Sequence, residues 1–197
     1  MNLTASALPS PPRLPAPECT RCSFTSETCD RYTAADLLLH WTTGWQRVLT
    51  GPGTARHCAG APAWSVLEHG CHVRDMCLLF HQQLDAIFGT ARPIAPSSVT
   101  PEPPPSYHEE DALRVAGELG RAAAALAGRL AALTADEWEH EDPRLPDLRL
   151  TVGLLTRHLL HDISHSLHDA LRGIREHDAV TGTAHRQDDR KAAGSHG

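Results

Sequence analysis

Residues 151–174 read TVGLLTRHLLHDISHSLHDALRGI, and this stretch decides the fold. Leu155, Leu159, Leu160, Ile163, Leu167, Leu171 and Ile174 recur at intervals of three and four, which places them on one broad face of a helix. At roughly 100° per residue, His158, His161, His165 and His168 fall within an arc of about 80° on the side away from the leucines. A leucine face this wide is stable only when buried, so the rest of the chain has to supply helices to cover it.

Three other stretches do so. In residues 33–49, Thr33 and Asp36 have capping-box spacing, and Leu37, Leu38, Trp41, Trp45 and Val48 form a stripe that Gly51-Pro52-Gly53 ends. Residues 65–88 open with Ser65 and Glu68, an S-x-x-E capping box, and carry Val66, Val73, Cys77, Phe80, Leu84 and Ile87 within a narrow arc. Six prolines in residues 93–105 exclude helix there. Residues 107–133 place Leu119, Leu126, Leu130 and Leu133 among alanines small enough for helices to approach closely. Four amphipathic helices and no strand pattern predict an all-α four-helix bundle over residues 19–176. The Pro-rich residues 1–18 read as disordered, and residues 177–197, without apolar periodicity, as a loose tail.

At 197 residues the chain fits one domain with a single core. Its 18 Lys+Arg against 24 Asp+Glu give a net charge of −6 with no basic run, which argues against nucleic acid as a partner. No stretch approaches the ~18 consecutive apolar residues of a membrane span, and residues 1–18 hold no apolar run of signal-peptide length, so the expected location is the cytoplasm. In that compartment the six cysteines read as thiols, metal ligands or redox groups rather than a disulfide framework. Among the 18 basic residues Lys191 is the one lysine, a bias that fits a GC-rich genome of the actinobacterial kind.

The 14 histidines carry the chemistry. His161 and His165, one turn apart, can converge on one metal ion, but a pair needs a further ligand from a facing helix. The stretch at 65–88 offers His69, His72 and His81; periodicity does not choose between His69 and His72, while His81 points elsewhere. Residues 64–75, WSVLEHGCHVRD, resemble the W-S-x-L-E…H-V-R-D segment of the DinB-like superfamily, which includes the N-terminal domain of mycothiol-dependent maleylpyruvate isomerase and thiol S-transferases. The stretch from Leu150 through His161, His165 and His168 to Asp169 resembles that superfamily's last-helix signature, H-D-x-x-H-H-L-x-D, with Ser166 where relatives often have histidine. The resemblance implies a four-helix bundle with a divalent metal held by His72, His161 and His165, and mycothiol as the thiol whose sulfur attacks a small-molecule electrophile. It also implies pairing of bundles into a homodimer. Three imidazoles suit zinc first, with nickel or iron(II) as alternatives.

Around that set, Asp75, Asp162 and Asp169 are candidates for carboxylates that orient imidazole N–H groups, with ordinary surface aspartates as the alternative. His158 and His168 flank the pair by one turn each and are candidate general acids or bases. Cys19-x-x-Cys22, which resembles a C-x-x-C-G-F element found ahead of the bundle in some relatives, has Ser23 in place of the glycine. With Cys29 it forms part of a separate structural zinc site whose fourth ligand, Cys58 among the candidates, spacing does not fix; a redox pair and two inert thiols are the alternatives. Cys71 and Cys77 read as buried core thiols. The leading expectation is therefore a metal-dependent enzyme using mycothiol for S-transfer or thiol-assisted isomerisation. The alternatives are a hydrolase or lyase that uses metal-bound water, and a non-enzymatic metal-binding or stress-responsive protein.

Overall fold

The computed structural model describes residues 19–22, 24–51, 64–90 and 107–194, with side chains described as far as residue 177 and at Ala179. Residues 1–18, the proline linker at 93–105, the Pro52-Gly53 stop and Cys58 lie outside the described residues. The elements are α1 (Ala34–Thr50), α2 (Val66–Ile87), α3 (Ala112–Ala131), a single turn α4 (Ala135–Trp138) and α5 (Val152–Gly194), with no strand among the described residues. Helices α1, α2, α3 and α5 form the expected all-α bundle, in which α1 and α2 each pack against both α3 and α5.

The caps show why the helices start where they do. At α2 both halves of the capping box form: Glu68 N–H donates to Ser65 Oγ at 3.2 Å and Ser65 N–H to the Glu68 carboxylate at 2.6 Å. At α1 the box expected from Thr33 and Asp36 does not form, because Thr33 is already in a helical conformation and its hydroxyl is turned back to the Thr28 carbonyl, 2.9 Å away. Asp30 does the work instead, its carboxylate accepting from Tyr32 N–H at 2.8 Å and Thr33 N–H at 2.9 Å. Asp111 caps α3 through Arg114 N–H, so the helix starts at Ala112, five residues later than the apolar pattern suggests, and Tyr107–Glu109 form a 3-10 turn.

The core follows the stripes. Leu38 and Trp45 of α1, Val66, Val73, Cys77, Phe80, Leu84 and Ile87 of α2, Leu119, Leu126 and Leu130 of α3, and Leu159, Leu160 and Ile163 of α5 are all buried. Trp45 also donates its indole N–H to the Ile163 carbonyl at 3.3 Å, which fixes α1 against α5. Close approach of α1 and α2 depends on Gly70, where a Cβ would lie 2.7 Å from a Leu49 methyl. Trp138 of α4 lies over Gly153 at the start of α5, where a Cβ would meet the indole at 2.4 Å.

The backbone of α5 stays helical to Gly194, 20 residues past Ile174 where the leucine face ends, so residues 177–194 are helix rather than the loose tail expected. The stretch contains no proline, and its four alanines together with Arg186, Gln187, Arg190 and Lys191 are good helix formers. At 1.5 Å per residue, the 43-residue helix is roughly 65 Å long, far longer than α1, α2 or α3. No helix among the described residues is long and apolar enough to cross a membrane.

Candidate metal centre

Residues 19–22 and 24–33 form an arm that lies on the bundle before α1 begins. Phe24 anchors it: the ring is 3% exposed and sits 5.8 Å from the Trp41 ring and 5.5 Å from the His161 imidazole. A second tie holds the end of the arm, where Arg157 donates through Nε to the Cys29 carbonyl at 3.0 Å. A third lies near its start, where the Arg21 guanidinium meets Asp169 at 2.7 Å. Together these contacts lay Cys19 and Cys22 on the histidine stripe of α5.

The result is a group of four potential ligands. One ligand atom each from Cys19, Cys22, His161 and His165 lie within 4.8 Å of one another, and this group could hold a metal ion. Cys19 Sγ is 3.4 Å from His165 Nδ1. The other nitrogen of His165, Nε2, faces Asp169 at 3.3 Å, and His161 Nδ1 faces Asp162 at 3.2 Å. His161 Nε2 is buried and has no hydrogen-bond partner. Each imidazole therefore has a carboxylate on one nitrogen and the other nitrogen available as a ligand, which is how metal-binding histidines are commonly oriented.

The thiols differ in character. Cys19 is held down to about 5 from the ordinary thiol value of 9.0, chiefly by His161 and then by the backbone N–H groups of Cys22 and Arg21. Cys22, partly buried, is shifted upward by desolvation and by the neighbouring Cys19 sulfur. Two sulfurs and two imidazoles form the donor set of tetrahedral zinc sites, and a cation between them would favour the thiolate form of both cysteines. The residues present thus fit a zinc ion.

The sites expected from the sequence are regrouped by this geometry. His161 and His165 come together as expected, and so do Cys19 and Cys22, but in one centre rather than two. His72 is not in the group; its imidazole lies edge-on to Trp64 with ring centres 5.0 Å apart. Cys29 is also outside it, 1% exposed and pushed up to about 11 by burial, because the chain turns into the core between Phe24 and α1. Asp162 and Asp169 each lie beside one of the two imidazoles. Asp75 does not: it accepts from Arg74 Nε and from the Tyr107 hydroxyl, each at 2.8 Å, within a charge cluster that joins α2 to α3. Buried Arg74 is the hub of that cluster and also reaches Glu118 at 2.9 Å and Glu110 at 3.4 Å.

His158 and His168 are half-buried and outside the ligand group, and His158 Nε2 is buried with no hydrogen-bond partner. On α2, His69 has a similarly unpartnered Nδ1 between the rings of Trp45 and Trp64, and burial shifts its pKa downward. Sequence reasoning held both halves of the centre without joining them. C-x-x-C and H-x-x-x-H each supply two ligands and each lack two, and that shared deficit was the signal available. The chain matches no family model, no curated protein and no solved structure.

Proposed function

We propose that this chain is a zinc-binding protein in which one ion, held by Cys19, Cys22, His161 and His165, clips the N-terminal arm to α5. The observation that carries this reading is the convergence of two complete half-sites, 139 positions apart in the sequence, onto one point with four ligand atoms within 4.8 Å. Four protein ligands complete a tetrahedral shell, which is the arrangement of a structural or regulatory zinc rather than of a catalytic one with an open position. Of the functions the sequence suggests, the geometry thus favours a metal-binding protein.

Elemental analysis of the purified full-length chain tests it, with about one zinc per chain expected from the four-ligand shell. His161→Ala and Cys22→Ser should each abolish tight zinc binding, and His72→Ala should leave it intact. Loss of zinc in His72→Ala with retention in Cys22→Ser would overturn the reading in favour of a three-histidine site.

The second reading is the DinB-like thiol enzyme, in which mycothiol takes the place of a protein thiolate on the metal. Two observations favour it: Cys19 and Cys22 are only half-buried, and the unpartnered Nε2 of His158 lies one turn from His161 as an unused acid or base. Metal-dependent consumption of an electrophile by the purified protein with mycothiol, lost on chelation and in His158→Ala, would support this reading. Turnover absent with mycothiol present would exclude it.

A further inference from the structure

We propose that the Cys19–Cys22 pair is an oxidisable latch: a hydroperoxide converts the two thiolates to a disulfide, releases the metal, and detaches the start of the arm from α5. This inference rests on the zinc clip described above and adds the chemistry that opens it.

The geometry selects this pair among the cysteines. Cys19 and Cys22 lie in a turn, both are half-exposed, and their sulfurs are members of the same 4.8 Å group, so an oxidant can reach them and each sulfur has the other within reach as a resolving thiol. Cys29, Cys71 and Cys77 are at most 1% exposed, which shields them from the same reagent.

The chemistry balances without a further partner. The Cys19 sulfur attacks the terminal oxygen of the hydroperoxide; the O–O bond breaks, the departing alkoxide or hydroxide takes a proton from solvent, and Cys19 becomes a sulfenic acid. The Cys22 thiolate then attacks that sulfur and forms the S–S bond. Hydroxide leaves and is protonated to water. The two sulfurs lose two electrons in all and the peroxide gains them.

A disulfide sulfur is a poor metal ligand, so His161 and His165 alone remain to hold the ion, and two imidazoles do not complete a zinc site. The consequence for the arm is local. Phe24 in its pocket and the Arg157 bond to the Cys29 carbonyl still anchor the later residues, so the released part is Cys19–Cys22, where the exposed Arg21–Asp169 pair and the Cys19 N–H bond to the Phe24 carbonyl are the weaker remaining ties. Oxidation thereby uncovers His161 and His165 while leaving the bundle folded.

The test uses full-length zinc-loaded protein treated with hydrogen peroxide. Released zinc is followed with a chromogenic chelator, and intact mass and peptide mapping follow the thiols. The expected result is loss of about one zinc per chain together with a mass decrease of about 2 Da that maps to a Cys19–Cys22 disulfide, with helical circular dichroism unchanged and zinc uptake restored by a dithiol reductant. Cys58→Ser should behave as the parent chain. Zinc retained after peroxide treatment, or released with a disulfide that involves Cys58, would overturn the latch. Protein that contains no zinc before treatment would instead refute the clip itself, so the two failures are distinguishable.

Discussion

At the scale of single residues, the centre depends on how each imidazole is turned. Asp169 lies 3.3 Å from His165 Nε2 and also receives Arg21, so one carboxylate sits beside a candidate ligand and ties down the arm that carries Cys19 and Cys22. Asp169→Ala is expected to weaken zinc binding by about 10–100-fold, measured by competition with a chelator of known affinity, because it removes the acceptor beside the ring that would set its orientation and basicity. Asp75→Asn should leave zinc affinity unchanged, since that carboxylate serves Arg74 and Tyr107 instead. The residue scale is also where sequence reading reached furthest into the site. His161, His165, Cys19 and Cys22 were all legible as candidate ligands from spacing, with Asp162 and Asp169 as candidate supports. That the four gather in one group was not legible, because nothing in the sequence states that Cys19 and Cys22 fold back onto α5.

At the scale of elements, the stripes and the capping residues Ser65 and Glu68 placed α2 to within a residue, and both halves of its box formed. Ser65→Ala should lower stability by about 0.5–2 kcal/mol in denaturant titration, the usual cost of losing such a cap. Gly70→Ala should cost about 1–3 kcal/mol by the same measurement, since the added methyl meets Leu49 at 2.7 Å and the core has to shift to accept it. The start of α1 differs from the expected one for a local reason: Thr33 has the right spacing to Asp36, but Asp30 three residues earlier takes the Thr33 N–H, and the Thr33 hydroxyl turns back to the Thr28 carbonyl. The length of α5 was misread for a different one. Apolar periodicity reports where a helix is covered, and α5 continues as a helix beyond the point at which the other helices cover it.

For the whole molecule, the metal centre and the bundle are separable. The core is built from α1, α2, α3 and α5, and the centre joins only the arm to α5, so chelation should let trypsin cut after Arg21 much faster while the helical signal persists; equal cleavage with and without chelator would argue against the clip. Acid should act on the bundle by another route. Asp142 is fully buried and its pKa lies below the ordinary 3.8 because Arg144 holds it through side chain and backbone, and Glu118 lies below 4.5 through Arg114 and Arg74. Carboxylates depressed in the folded state stabilise it above their unfolded pKa, and that contribution is lost as pH falls through the folded value. Melting temperature should therefore hold down to about pH 4 and decline below it, less steeply in Asp142→Asn. The sequence by itself determined the helices, their buried faces and the two pairs of ligand residues, because periodicity, capping and ligand spacing act within a few turns of the chain. Only the tertiary structure decided that Cys19 and Cys22 gather with His161 and His165 in one group able to hold a metal ion while His72 and Cys29 stay outside it, because that choice is made by Phe24 seating against Trp41 and by Arg21 reaching Asp169, contacts between segments that no local pattern connects.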